Sequence, residues 1–239
     1  MSNMIVDLKF QEVRELQPNS YHFEHPSLVS EDDVHHLIAS YGGYWKHSGP
    51  ADEPHPILNS GMHGGEYFDL SFVTQFSVPT EILCRLMADK LNHVRRRDWV
   101  IGPSYGASPL IYHLGNILKC KHAITEKEAD DSQSWKRYLI SDHEWVQLVE
   151  DVTTTGGSIL RSKAGIIAGN RGKVKFFSSI AAFVNRSGKI EIEGFSIISL
   201  VKVGSPKQWK PGECELCKLG SEAISKFKYY LASQLLPNN

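Results

Sequence analysis

Residues 146–158 read Val-Gln-Leu-Val-Glu-Asp-Val-Thr-Thr-Thr-Gly-Gly-Ser, and few architectures tolerate that order of side chains. The apolar positions Val146, Leu148, Val149 and Val152 suit a strand buried in a parallel sheet. Glu150 and Asp151 then fall at the strand's carboxyl end, where open α/β sheets bind ligands. Thr153, Thr154, Thr155, Gly156, Gly157 and Ser158 follow as a polar loop, and a helix-compatible run begins at Ile159. Gly156 and Gly157 let backbone N–H groups come close to a ligand, and Thr154, Thr155 and Ser158 add hydroxyl donors. A helix N-terminus behind such a loop favours an anion, usually phosphate. The loop is not a Walker A sequence, because no Gly-Lys-Ser/Thr follows. Nor is it a Rossmann fingerprint, because its glycines are adjacent rather than spaced. An ordinary strand-turn-helix with a polar turn is the alternative; strand, acid pair and Gly-rich loop occurring together weigh against it.

The rest of the chain extends this pattern. Thr80 can cap a helix over 81–93, with Ile82, Leu83, Leu86, Met87 and Leu91 on one face. A short strand at 98–102, a helix at 107–119 and a strand at 122–126 come next. Beyond the motif strand and a helix at 157–168, apolar runs at 176–184 and 195–203 supply two more strands. This alternation predicts an α/β fold with a doubly wound, mostly parallel sheet. Ser30 and Asp33 form a capping-box-like start for a helix over 31–42, closed by Gly42-Gly43. Residues 1–29 and 45–58, both proline-containing, read as irregular. Residues 1–75 and 206–239 stand outside the alternation and are expected to form a small hood over the ligand edge of a core spanning 76–205.

The 239 residues, 41% of them hydrophobic, suffice for one large α/β domain or for one domain with an appendage. A net charge of −1 gives no general attraction to nucleic acid or to membranes. Arg95-Arg96-Arg97 is the only basic cluster and reads as a solvated helix end. No apolar run approaches the ~20 residues of a membrane helix. The N-terminus has no basic region followed by an apolar core, so no signal peptide is expected. Four cysteines in a chain of this length do not suggest a secreted disulfide scaffold. The expected location is the cytoplasm. Cys214-Glu-Leu-Cys217 is half of a structural zinc site. Cys84 and Cys120, on apolar helix faces, are poorly placed to complete it. The eleven histidines show no convincing ligand spacing, so a free-thiol loop and no metal ligand are expected.

The 146–158 segment resembles the signature of type I phosphoribosyltransferases, and the flanking segments are most similar to the orotate phosphoribosyltransferases among them. The resemblance covers about residues 57–220. It implies that Glu150 and Asp151 hold the ribose hydroxyls of phosphoribosyl pyrophosphate, and that the loop from Thr153 to Ser158 wraps its 5-phosphate. Gly102-Pro103-Ser104-Tyr105-Gly106-Ala107 matches the loop that binds the pyrophosphate leaving group, through Ser104, Tyr105 and Gly106. Some orotate enzymes carry a lysine where this chain has Gly106. Ser60-Gly61 and Tyr67-Phe68 match the segment that covers the base, the aromatics being suited to a flat heterocycle; a turn with two core aromatics is the alternative. Asn59 stands where a lysine is frequent. Arg186 matches the arginine that binds the base's carboxylate, in a geometry that suits a guanidinium, while Asn185 replaces an acid. Lys127 matches a basic, catalytic position in a mobile loop running to Arg137. That loop's usual further lysine and histidine are replaced by Ala129, Asp130, Asp131 and Ser132, and Lys136-Arg137 resembles a basic pair found in some members.

The implied reaction transfers the phosphoribosyl group to a nucleobase, most simply orotate, and releases pyrophosphate. Mg2+ is the implied cofactor, bridging pyrophosphate oxygens and ribose hydroxyls. Catalysis would then be positioning and electrostatics, with loop closure excluding water. A homodimer is implied as well. Two other readings stay open. One is transfer to another base, since adenine-type enzymes also have an acid pair. The other is a regulator that binds phosphoribosyl pyrophosphate without turnover, which Gly106 and the missing loop lysine favour.

Overall fold

Five parallel strands form the centre of a seven-stranded sheet. The computed structural model describes residues 29–91, 97–204 and 206–235. In chain order the strands are β1 (Trp99–Pro103), β2 (Lys121–Lys127), β3 (Gln133–Ser134), β4 (Trp145–Thr153), β5 (Lys175–Asn185), β6 (Glu191–Ile192) and β7 (Phe195–Lys202). Their spatial order is β6-β7-β5-β4-β1-β2-β3. The inner five run parallel, and the short outer strands β6 and β3 run antiparallel. From β1 the chain moves outward to β2, then crosses back to β4 on the other side. The strand order therefore reverses between β1 and β4, and the carboxyl ends of these two strands flank the crevice in which such sheets bind ligands.

Both faces of the sheet are covered, which is why its strands read as near-continuous apolar runs. Helices α1 (Glu31–Ser40), α2 (Ser77–Leu91) and α3 (Ser108–Leu118) cover one face, where Val100, Val149, Ala181 and Phe183 are buried. Helix α4 (Gly157–Gly169) covers the other, over Ile101, Leu148, Ile180 and Ala182. Neighbours such as Val100 and Ile101, or Leu148 and Val149, point to opposite faces, as the two-residue period of a strand requires. The last helix is α5 (Phe227–Leu235). Among the described residues no helix is long and apolar enough to cross a membrane.

Several local expectations need correction. Helix α2 begins at Ser77, not Glu81. Pro79 sits in its first turn, where a missing N–H costs nothing, and Thr80 Oγ1 donates to the Phe76 carbonyl at 2.6 Å instead of capping. The Ser30–Asp33 capping box is present, and α1 docks on β7, where Glu31 Oε2 accepts from the Lys202 N–H at 3.0 Å. The expected mobile loop after β2 is largely held down. Trp135 and Ile140 are buried, Thr125 Oγ1 lies 2.8 Å from both Gln133 Oε1 and Ser162 Oγ, and Asn170 exchanges two hydrogen bonds with the Ile140 backbone at 2.9 Å. A Cβ at Gly165 would run into the Gln133 carbonyl, so α4 packs directly on this segment's backbone. Arg97 is not a solvated helix end either. It is buried, donates to Gln147 Oε1 at 3.2 Å and lies 4.9 Å from the Phe177 ring centroid. Arg95, Arg96 and residues 1–28 lie outside the described residues.

The span 45–58 is not all loop. Tyr44–Lys46 pairs antiparallel with Glu66–Phe68, His63–Gly64 antiparallel with Gln208–Trp209, and His55–Pro56 parallel with Ala223–Ile224. The last two pairs join segments more than a hundred residues apart in sequence. A small separate cluster of Phe72, Phe227 and Leu231, packed by Trp45, Tyr67 and Ile224, fills the space behind them.

Candidate active site

The end of β4 carries the acids and opens the phosphate-type loop. Gly156 has φ +78° and precedes the first residue of α4, a left-handed conformation that glycine adopts at little cost. A glycine cap has no side chain with which to satisfy the first-turn N–H groups, which favours an anion there. Thr155 Oγ1 accepts from the Gly157 N–H at 3.3 Å, and Ser158 Oγ accepts from Arg161 at 3.4 Å. Thr154 and Thr155 are exposed.

Glu150 is buried, and Oε2 has no hydrogen-bond partner among the described residues. Burial pushes its carboxyl up to about 8, and the neighbouring Asp151 adds to the rise. The Asp151 carboxyl is also raised by burial, against hydrogen bonds from backbone N–H groups. The loop after β1 comes down on this acid: a Cβ at Gly106 would collide with Asp151 Oδ2. Glycine at 106 is thus what lets the two strand-end loops meet, and a lysine there would have to displace the carboxylate. In the same loop Ser104 Oγ accepts from the Lys127 N–H at 3.1 Å, while the Tyr105 side chain is exposed. The Ser104–Tyr105 peptide is cis. Lys127 Nζ is 2.6 Å from Asp131 Oδ1 in an exposed pair. Ser104, Tyr105, Lys127 and Arg137 line one depression of about 520 Å3.

A second cavity, of about 550 Å3, is lined by Ser60, Tyr67, Phe68, Thr154, Thr155 and Arg186. Residues read from sequence as base-covering and as phosphate-binding therefore share one space. Arg186 extends from the end of β5, its N–H donating to the Thr153 carbonyl at 2.8 Å. Its guanidinium carbon is 5.2 Å from the Phe68 ring centroid. Burial lowers its pKa, and Glu66, Tyr44 and Tyr67 oppose that. Nε and Nη2 are buried with no partner among the described residues. These two nitrogens share one edge of the guanidinium, the fork that grips a planar carboxylate.

No family model matches the chain. The orotate phosphoribosyltransferase of Caldicellulosiruptor bescii is 34% identical over 169 residues, which cover 70% of this chain and 85% of that relative. That of Heliobacterium modesticaldum is 34% identical over 176 residues, covering 72% and 88%. The chain belongs to the orotate phosphoribosyltransferase family. Among solved structures, orotate phosphoribosyltransferase from Mycobacterium tuberculosis superposes with a TM-score of 0.53 at 20% identity, over 72% of this chain and 95% of that one. The Aeropyrum pernix orotate phosphoribosyltransferase gives 0.53 at 18% identity, over 71% and 93%. The fold is accordingly that of the type I phosphoribosyltransferases.

Within this orotate phosphoribosyltransferase-like frame, sequence reasoning missed two features. The second cavity is also lined by Ser225, Lys226, Phe227, Lys228 and Tyr229 from the C-terminal segment, which no motif marks. In addition, His55 and His63 meet Cys214 and Cys217, their ligand atoms all within 4.8 Å of one another. The sequence signals are the Cys214-Glu-Leu-Cys217 spacing and, for the other half, two histidines flanking the Ser60-Gly61 turn. The Leu58 N–H donates to the Met62 carbonyl at 2.8 Å, and that turn sets the two side chains on one side.

Proposed function

We propose that this chain transfers the phosphoribosyl group of phosphoribosyl pyrophosphate to orotate in pyrimidine biosynthesis, giving orotidine monophosphate and pyrophosphate. The observation that carries the reading is the unpartnered Nε/Nη2 edge of buried Arg186, on a cavity shared with Tyr67, Phe68 and the Thr154–Thr155 loop. A buried guanidinium with unmet donors is costly, and a carboxylate on a flat ring meets that need.

In this reading the amides and hydroxyls of Thr153 to Ser158 hold the 5-phosphate. Glu150 and Asp151 orient the ribose hydroxyls beneath the reacting carbon. As that carbon becomes cationic, negative charge on this pair would stabilise it once bound cation and substrate offset the burial that holds the Glu150 carboxyl neutral. The Ser104–Gly106 loop, with Lys127 beside it, receives the pyrophosphate, and Arg186 with the Tyr67–Phe68 pair aims the base nitrogen at the sugar. The donor set suits a hard cation, since the unpartnered Glu150 Oε2 and the adjacent Asp151 offer only oxygen. Mg2+ held with the ribose hydroxyls near these acids would neutralise the departing pyrophosphate. A cytoplasmic homodimer, with no nucleic-acid or membrane partner, completes the proposal, as does a hood made of 1–75 and 206–239 over a 76–205 core.

A panel of nucleobases incubated with the chain, phosphoribosyl pyrophosphate and Mg2+ tests this. Pyrophosphate release should require orotate. Release with another base alone overturns the base assignment. Binding of phosphoribosyl pyrophosphate without any turnover favours the regulator, a reading supported by the engagement of Lys127 with Asp131.

A further inference from the structure

We propose that His55, His63, Cys214 and Cys217 form a structural zinc site that ties the N-terminal segment to the C-terminal one. Three of the four side chains are buried, and both cysteines are free thiols. His55 Nε2 lies 3.1 Å from His63 Nδ1, 3.4 Å from Cys214 Sγ and 3.5 Å from Cys217 Sγ. Cys217 Sγ is 3.3 Å from His63 Nδ1. Zinc–nitrogen bonds of about 2.0–2.1 Å and zinc–sulfur bonds of about 2.3 Å give a regular tetrahedron N···N edges of about 3.3 Å and N···S edges of about 3.5 Å. Four of the six edges of the cluster match that figure within a few tenths of an ångström.

The protonation state of His55 is set from outside the cluster. Ser221 Oγ donates its single hydroxyl proton to the Glu53 carbonyl at 2.6 Å. The same oxygen lies 2.7 Å from His55 Nδ1 and must accept from it, so Nδ1 carries the hydrogen. That leaves Nε2 as a bare lone pair directed at the other three ligand atoms. A hydroxyl or carbonyl fixing the far nitrogen of a ligating imidazole is the usual support of a metal site. Two thiolates and two neutral imidazoles balance the charge of Zn2+, and binding releases the two thiol protons. All four positions are filled by protein, which marks the site as structural rather than catalytic.

The location gives the site its consequence. Ser60, on the cavity, lies between His55 and His63. Ser225 to Tyr229, on the same cavity, follow Cys217 by a few residues. The metal thus fixes the relative position of the two segments that enclose the base side, while the loop after β4 is built on the sheet without it.

Elemental analysis of the purified chain after dialysis against metal-free buffer should find about one zinc per chain. X-ray absorption at the zinc edge should show two sulfurs at about 2.3 Å and two nitrogens at about 2.0–2.1 Å. Neither measurement depends on turnover, so this proposal and the orotate reading fail separately. Cys217→Ser should lower zinc retention at least roughly tenfold. A chain that takes up no zinc even when refolded with it overturns the site. So does a Cys214–Cys217 disulfide in the native protein, or a shell with other than two sulfurs.

Discussion

The two halves of the proposed site are built in different ways. The phosphoribose half is a local construction: strand end, acid pair and Gly-rich loop lie within Glu150–Ser158, and β1 adds a second loop at the neighbouring strand end. The sheet positions both, so each side chain's place follows from its place in the chain. The base half is assembled at long range. Residues 55–68 and 208–229 meet through two-residue strand pairs and a small aromatic cluster, with Arg186 alone contributed by the sheet. Burial raises the pKa of both acids in the first half; in the second, enclosure depends on segments with little core of their own. Perturbing the first half should therefore act through electrostatics, and perturbing the second through base recognition with sugar binding spared.

Glu150 offers the largest effect. Its carboxyl rises from an ordinary 4.5 to about 8 in the fold because burial disfavours the anion. At pH well below 4.5 both folded and unfolded chains hold the proton, and the group contributes nothing. Between 4.5 and about 8 the unfolded chain ionises first, so stability falls as pH rises; above that window the loss is complete. Glu150→Gln removes the dependence. The variant should be more stable than the parent above the window by up to about 5 kcal/mol, and equal to it at the acid end. Denaturant melts across pH measure the difference. A gap that does not change with pH would show that the Glu150 carboxyl is not held neutral. Glu144, just before β4, provides the opposite case. Burial works against its anion, but hydrogen bonds from Lys121, Trp99 and the Ser141 N–H hold it at about 2. Its contribution is present above pH 4.5 and is lost as pH falls toward that lower value.

Arg186→Ala tests the other half. Removing two hydrogen bonds to a charged group should cost about 3 kcal/mol, a fall in kcat/KM for orotate of roughly a hundredfold. The KM for phosphoribosyl pyrophosphate should stay within about twofold of the parent, because the sheet-edge loop is untouched. A parallel collapse of both constants would mean that the two halves are not separable.

How much of this could be read from the chain follows the same division. Glu150, Asp151 and the loop to Ser158 were legible because their chemistry is contiguous, and the βα alternation fixed the sheet's parallel character. The boundary of α2 falls earlier than expected because Thr80 reads as an N-cap, whereas Pro79 and Thr80 both sit inside the first turn. The burial of Trp135 was missed because its neighbours are polar, and the segment's anchors, Thr125, Ser162 and Asn170, lie outside it. The His–Cys cluster was invisible for a related reason. The cysteines display ligand spacing, but their partners are some 160 residues away and are brought in by the pairing of His55–Pro56 with Ala223–Ile224 and of His63–Gly64 with Gln208–Trp209.

Lys127 marks where the halves' contrast is weakest, and its removal should have the smallest effect on the fold. It ends β2 beside the Ser104 loop, yet its ammonium pairs with Asp131 at 2.6 Å, with the two side chains 49% and 72% exposed. Exposed pairs of this kind contribute at most about 1 kcal/mol, so Lys127→Ala should shift Tm by no more than about 4 °C. Turnover is the discriminating measurement. If the ammonium leaves Asp131 for the pyrophosphate, kcat should fall roughly tenfold or more, and Lys127→Arg should restore part of it because the charge survives. An alanine variant with the parent's kcat would confine Lys127 to its surface ion pair. The leaving group's charge would then have to be met by the backbone of the Ser104–Gly106 loop, the bound cation and Arg137, which lines the same depression and pairs with Glu126.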